Sequence, residues 1–164
     1  MKRWLCLLGL VAAPCLASAQ ASPPPPAETG QFDFWLGEWD VTTPGGKPAG
    51  SSRVEKVGAG WGLLESWTGA GGASGKSLNT WQPAKRQWQQ FWVGNGGALE
   101  LAGGLNARGE MVLTGASPAA AGGKVIERIT WTPQTDGTVR QLWEQSTDDG
   151  VTWTIAFDGH YRRK

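Results

Sequence analysis

Residues 76–105 read KSLNTWQPAKRQWQQFWVGNGGALELAGGL, and the punctuation of this stretch decides the fold. Pro83 and the Asn95-Gly96 pair cut it into three short runs carrying Trp, Phe, Val and Leu, none with a helical period. Short β-prone runs between turn-forming residues are the pattern of an antiparallel meander. The stretch therefore predicts strands at Lys76–Gln82, Trp88–Val93 and Ala98–Leu105.

The same punctuation continues in both directions, with a Gly, Pro or Asn-Gly break every eight to fourteen residues. Towards the N-terminus it predicts strands at Glu38–Thr43, Ser51–Val57 and Gly62–Thr68. Towards the C-terminus it predicts Glu110–Gly115, Lys124–Thr132, Thr138–Ser146 and Thr152–Arg162. Only residues 31–37 suggest a short helical turn, at the N-terminal end. About ten strands in sequence build either a sandwich or a closed barrel. Short connections suit an up-and-down barrel, whereas a sandwich needs a long crossover. Closure also removes exposed sheet edges. The expectation is all-β, an antiparallel up-and-down barrel, with the sandwich as the alternative.

Ahead of the strands, the chain is zoned. Lys2 and Arg3 precede the apolar run 5–11, and Ala17-Ser18-Ala19 supplies small residues for cleavage. That is the layout of a secretory signal peptide, assigned to residues 1–19. Cys15 follows Pro14 rather than a small residue, which argues against lipidation. Cleavage after Ala19 would remove both cysteines, Cys6 and Cys15, and leave an exported product, periplasmic or extracellular, held together by packing alone. Residues 20–27, with Pro23-Pro24-Pro25-Pro26, read as a Pro-rich tether, and 28–164 as one barrel domain. Loss of Lys2 and Arg3 leaves 13 of the 15 basic residues against 14 acidic ones. Nucleic acid and anionic membrane select basic patches, so neither is expected as a partner. The oligomeric state is left open.

Ten of the 11 tryptophans lie beyond the signal. Side chains at i and i+2 share a face of a strand. By that rule Glu65 accompanies Trp67, Asn79 accompanies Trp81, and Gln90 lies between Trp88 and Trp92. Glu127 goes with Ile129 and Trp131, and Gln141 and Gln145 flank Trp143. One face repeatedly mixes indole with carboxylate or amide. Either each indole fills core volume and finds a local acceptor, or this face lines a cavity of mixed polarity.

Two segments are more specific. Phe32-Asp33-Phe34-Trp35-Leu36-Gly37-Glu38-Trp39-Asp40-Val41 is an apolar plug, a Gly hinge and a strand entered by Trp39. Its Gly-x-Trp step resembles the entry to the first strand of lipocalins and other calycin barrels. The whole segment resembles a bacterial exported domain-of-unknown-function family grouped with the calycin-like (lipocalin-like) β-barrels. Arg53-Val54-Glu55-Lys56, Leu64-Glu65-Ser66-Trp67 and the ending Phe157-Asp158-Gly159-His160-Tyr161 fit the same pattern. The resemblance spans about 32–164 and implies a calycin-like barrel, with no established activity. The second segment, Ser146-Thr147-Asp148-Asp149-Gly150-Val151-Thr152-Trp153, matches the Asp-box pattern at every fixed position. Asp148 accepts backbone N–H groups in such a hairpin, Gly150 takes positive φ and Trp153 packs beneath. Sialidase propellers carry one copy per blade; a single copy marks a structural hairpin.

Catalytic residue sets are sparse. His160 is the one histidine and cleavage would remove both cysteines, so Cys–His chemistry and multi-histidine metal sites are excluded and no metal site is expected. Glu55, Glu65 and Glu127 on neighbouring strands could serve as paired carboxylates on a glycan. Haem through His160, as in nitrobindin-like barrels, is disfavoured. The alternation sets Trp153, Ile155, Phe157 and Tyr161 on the apolar face and His160 opposite, unless a bulge at Gly159 shifts the register. No cofactor is expected.

The reading that results is an exported barrel binding a small, partly polar ligand. Glu65, Trp67, Trp81, Trp92, Trp131 and Trp143 form the candidate site, with Glu55, Glu127 and Arg140 as polar anchors. A filled structural or interaction module is the alternative, and a glycan-acting enzyme the third.

Overall fold

All ten expected strands form, each within three residues of its expected bounds. The computed structural model describes residues 23–120 and 122–164, so the signal-peptide assignment lies outside the described residues. The strands are β1 (Gly37–Thr42), β2 (Pro48–Val57), β3 (Gly62–Gly69), β4 (Ser74–Gln82) and β5 (Gln87–Gly94). They continue with β6 (Gly97–Leu105), β7 (Met111–Pro118), β8 (Lys124–Pro133), β9 (Val139–Ser146) and β10 (Thr154–Arg163). Each pairs antiparallel with its sequence neighbours, and β10 returns to β1, with Trp39 opposite Arg163 and Val41 opposite Tyr161. The sandwich alternative is thereby excluded: the sheet is one closed barrel.

The period-2 pattern explains which residues turn inward. On β4, Ser77, Asn79 and Trp81 are buried, while Lys76 and Leu78 on either side of Ser77 face out. On β3 the inward set includes Leu63 and Glu65, and on β8 it is Glu127, Ile129 and Trp131. Alternation of this kind keeps one face packed and the other in water.

The two ends of the barrel differ. Ahead of β1, 3-10 turns at Ala27–Gly30 and Asp33–Trp35 fold across the end where β1 starts and β10 finishes. Phe32 stacks on Trp35 at 5.0 Å and meets the edges of Trp88 and Trp131 at 5.7 and 5.2 Å. Trp39 donates its indole N–H to the Trp35 carbonyl at 3.0 Å, and Trp88 donates to Gln31 at 3.0 Å. Lys56 holds Asp33 at 2.8 Å, and the Arg163 guanidinium covers the Trp39 ring at 4.4 Å. Phe32, Trp35, Trp39 and Trp88 are fully buried, so this end is a solid aromatic plug. Pro25 and Pro26, read from sequence as tether, are already half-buried, and the Pro26 carbonyl accepts from Thr29 N and Oγ1.

The opposite end carries the hairpins β1–β2, β3–β4, β5–β6, β7–β8 and β9–β10. The Asp-box segment is the last of these. Asp148 accepts Thr152 N–H at 2.8 Å and its hydroxyl at 2.5 Å, and Ser146 donates to Asp148 at 2.7 Å. Gly150 has φ +87°, and Trp153 donates to its carbonyl at 3.0 Å while Arg128 covers the indole at 3.7 Å.

One expectation about β10 is corrected. The register against β9 shifts between Ile155 and Phe157, so the bulge falls at Ala156 rather than Gly159. Phe157 and Tyr161 face inward as expected, but Ile155 is 64% exposed and Trp153 stays in the hairpin outside the barrel. The extra residue reverses the face of everything before it. His160, downstream of the bulge, is on the outer face beside Asp158.

Candidate functional site

Between the plug and the hairpin end the barrel holds a half-open cavity of about 200 Å³. Its floor is Trp131 and Tyr161, both buried against the plug. Its walls are Trp67 of β3, Trp92 of β5, Trp143 of β9 and Phe157 of β10, with Leu99 and Ile129 between them. Trp67 meets Phe157 edge-to-face at 5.8 Å and 81°, so two of the walls stand at right angles. Trp92 reaches its position by crossing Gly75 on the neighbouring strand. A Cβ at Gly75 would lie 2.3 Å from the Trp92 ring, which no side chain tolerates.

Polar groups enter this apolar space from two directions. Glu65 is buried on β3 between Ser52 of β2 and Ser77 of β4, each hydroxyl 3.0 Å from a carboxylate oxygen. The chain of bonds continues: Asn79 donates to Ser77 at 3.0 Å and Gln90 to Asn79 at 2.7 Å. Burial pushes the Glu65 carboxyl up to about 7, against the two serine hydroxyls that pull it down. Tyr161 donates to Gln141, and its phenol is raised well above the usual range, first by burial and then by the charge on Glu65. Further round, Glu127 accepts from Ser117 at 2.6 Å, Trp143 Nε1 at 2.7 Å and Gln145 at 3.2 Å. That carboxylate is an internal bracket orienting the Trp143 wall. The indole nitrogen of Trp131 is buried without a hydrogen-bond partner.

Of the nine candidates, Glu65, Trp67, Trp92, Trp131 and Trp143 converge on the cavity. Glu127 stands behind Trp143, and Trp81 faces inward but packs on Trp88 at 6.4 Å, away from the cavity. Two are corrected. Glu55 is exposed and bonds Arg53 at 2.8 Å, because Ser52 and Val54 occupy the inward phase of β2. Arg140 lies on the outer face of β9, paired with Asp158 at 2.9 and 2.7 Å, because Val139 and Gln141 face in. With Glu55 outside, the three carboxylates considered for glycan chemistry do not converge. Ser52 and Ser77 were missed, although their i±2 spacing from Val54 and Asn79 marks them as inward. Ala156 and Leu99 were missed as well. No sequence signal announces the bulge that turns Ala156 towards the cavity.

Among the described residues no group of three or more His, Cys, Asp or Glu side chains is placed to hold a metal ion. Comparison of the sequence with known protein families and with curated proteins finds no match.

Proposed function

We propose that this chain is an exported, calycin-type barrel that binds a small, partly polar ligand in the cavity above Trp131 and Tyr161. The observation that carries the reading is the mixed lining of that cavity: aromatic walls around the carboxyl of Glu65 and the amides of Gln90 and Gln141. Ligand sites have this character, mostly apolar with a few placed polar groups. A volume of about 200 Å³ is below the roughly 300–1,000 Å³ of drug-sized sites, so the ligand is small, of one ring or a branched head group. A filled structural barrel leaves this space unexplained.

The outer face supports an aqueous location. It carries Arg53, Glu55, Lys76 and Glu100 at exposed positions beside a small apolar patch of Leu78, Phe91 and Val93, and charges so spread are unlike the apolar belt of a membrane barrel. No helix among the described residues is long and apolar enough to cross a membrane. The signal-like residues 1–19 support export.

The test is a small-metabolite screen read by Trp emission, with chemical melts of Trp67→Ala and Trp143→Ala alongside. Loss of a wall should weaken binding by about 1–3 kcal/mol and destabilise the fold by less than the roughly 3–5 kcal/mol of a truncated core Trp. A silent screen together with core-sized losses at both positions would sink the proposal.

A further inference from the structure

The cavity walls carry Glu65 and no Lys, Arg or His; the other ionisable group among them is the Tyr161 phenol. Among the described residues, no cationic side chain comes within 4 Å of the Glu65 carboxylate. Eight other carboxylates, from Asp33 to Asp158, do have such a partner. Burying a carboxylate without a counter-charge is expensive, and proteins normally pair it or leave it protonated. The barrel instead gives Glu65 two hydroxyls and faces it with rings. Trp67, Trp92, Trp131, Trp143, Phe157 and Tyr161 all border the same space. Aromatic faces carry negative potential and attract cations, most strongly when water is excluded. A carboxylate at the wall of an aromatic enclosure is thus complementary to a positive, weakly hydrated head group.

We propose that the cavity recognises an organic cation, a quaternary or protonated amine, with Glu65 as its counter-ion and Trp67, Trp92, Trp143 and Phe157 as its cage. This rests on the ligand-binding reading and names the class of ligand. Trp67 and Phe157 stand at 81° to each other on the lining, and a roughly spherical ammonium fits the corner between two such rings. The size of the cavity suits a trimethylammonium head group with a short tail. An anion would meet Glu65 with nothing of opposite sign to receive it.

The groups that face Glu65 determine how binding follows pH. From β2 and β4 come the hydroxyls of Ser52 and Ser77, and from β10 the Tyr161 phenol, which stays neutral. Glu127 lies further round on β8, satisfied by its three donors. Burial brings the titration of Glu65 near neutrality, and the cation binds its ionised form. With a carboxyl titrating at about 7, cation affinity falls about tenfold from pH 8 to pH 6.

Choline and its neutral carbon isostere, 3,3-dimethylbutan-1-ol, are the probes. They would be titrated into the full folded protein by calorimetry and Trp emission at pH 6 and pH 8, with wild type and Glu65→Gln. Choline is expected to bind at least tenfold more tightly than the isostere at pH 8. The gap should narrow about tenfold at pH 6 and by at least as much in Glu65→Gln at pH 8, leaving the smaller preference that the aromatic cage supplies. Equal or tighter binding of the isostere at pH 8 overturns the cation assignment and leaves the ligand-binding reading standing. A choline preference that is undiminished in Glu65→Gln, or that ignores pH, removes Glu65 as counter-ion and overturns the proposal too. Binding of neither probe overturns it outright, and the metabolite screen then decides separately whether the cavity binds anything. Should Glu65→Gln fail to fold, the two-pH comparison in wild type reaches the same decision.

Discussion

Trp143 on β9 donates its indole N–H to Glu127 on β8 at 2.7 Å, so one wall of the cavity is positioned by a buried carboxylate that does not itself border the cavity. Glu127 also takes bonds from Ser117 on β7 and Gln145 on β9, which ties three consecutive strands together at the open half of the barrel.

Replacing that bracket has a definite consequence. Glu127→Ala leaves three half-buried donors without their acceptor, and each costs up to about 1–3 kcal/mol, less where water replaces the lost bond. The variant should unfold at markedly lower urea, and near-UV circular dichroism should show Trp143 less fixed. Glu127→Gln keeps one acceptor oxygen and should lose less. Equal stability of wild type and Glu127→Ala in urea melts would contradict the bracket.

Glu65 makes stability depend on pH in the direction opposite to an ion-paired carboxylate. Its carboxyl is raised by burial from 4.5 to about 7, so the folded state holds the proton more tightly than the unfolded chain. That contribution is complete below 4.5 and is lost as pH rises through about 7. Across the window it amounts to about 3 kcal/mol by proton linkage. Glu65→Gln stays uncharged throughout. The stability difference between wild type and Glu65→Gln, followed by chemical melts from pH 4 to pH 8.5, should therefore shift against wild type as pH rises. A flat difference rules out the buried, unpaired carboxyl.

At the β9–β10 hairpin the two central residues act through different physics. Asp148 is held down to about 2 by the Thr152 hydroxyl and amide and then by Ser146, so its contribution is present above 3.8 and fades as pH falls through about 2. Asp148→Ala should lower the melting temperature at pH 7. Gly150, at φ +87°, has room for a Cβ, with Trp153 at 3.4 Å, so Gly150→Val suffers from backbone conformation, about 1–2 kcal/mol or more. Neither change should alter the response of the cavity to a ligand. Loss of ligand response in Asp148→Ala with an unchanged melting temperature would show that the hairpin is more than a structural turn.

The outward placement of two charged residues is checked in the same assay. Glu55→Gln removes an exposed pair with Arg53, worth about 1 kcal/mol or less. Arg140→Gln instead leaves the largely buried Asp158 without its two-point partner and should cost more stability. Ligand affinity and the Trp emission change should match wild type. A tenfold loss of affinity in either variant would place that side chain in the site.

Much of this architecture is legible in the residue order because β-structure is locally coded. Pro83 and Asn95-Gly96 bound strands that form where expected, and the alternation of Ser77, Asn79 and Trp81 with Lys76 and Leu78 assigns faces without any tertiary information. The same rule, applied to Ser52, Arg53, Val54 and Glu55, sends Glu55 outward, and applied to Val139, Arg140 and Gln141 it does the same for Arg140. Their assignment to the site came from treating charge as a reason to face a ligand, whereas on a half-buried strand charge is first a reason to face water.

What the residue order alone determined was the strand set, the Asp-box hairpin and the mixed indole–carboxylate face. Three things were decided only by the folded barrel. Closure joins β1 to β10 across more than a hundred residues, a pairing that no local pattern encodes. The bulge at Ala156 takes Ile155 and Trp153 off the inner face and turns Ala156 to the cavity, an irregularity that a strict period of two cannot announce. The cavity itself is what remains after the plug led by Phe32 and Trp35 has filled one end of a ten-stranded cylinder. Its existence is a difference between the volume the strands enclose and the volume the side chains fill, and such a difference exists only once every inward side chain has been placed together.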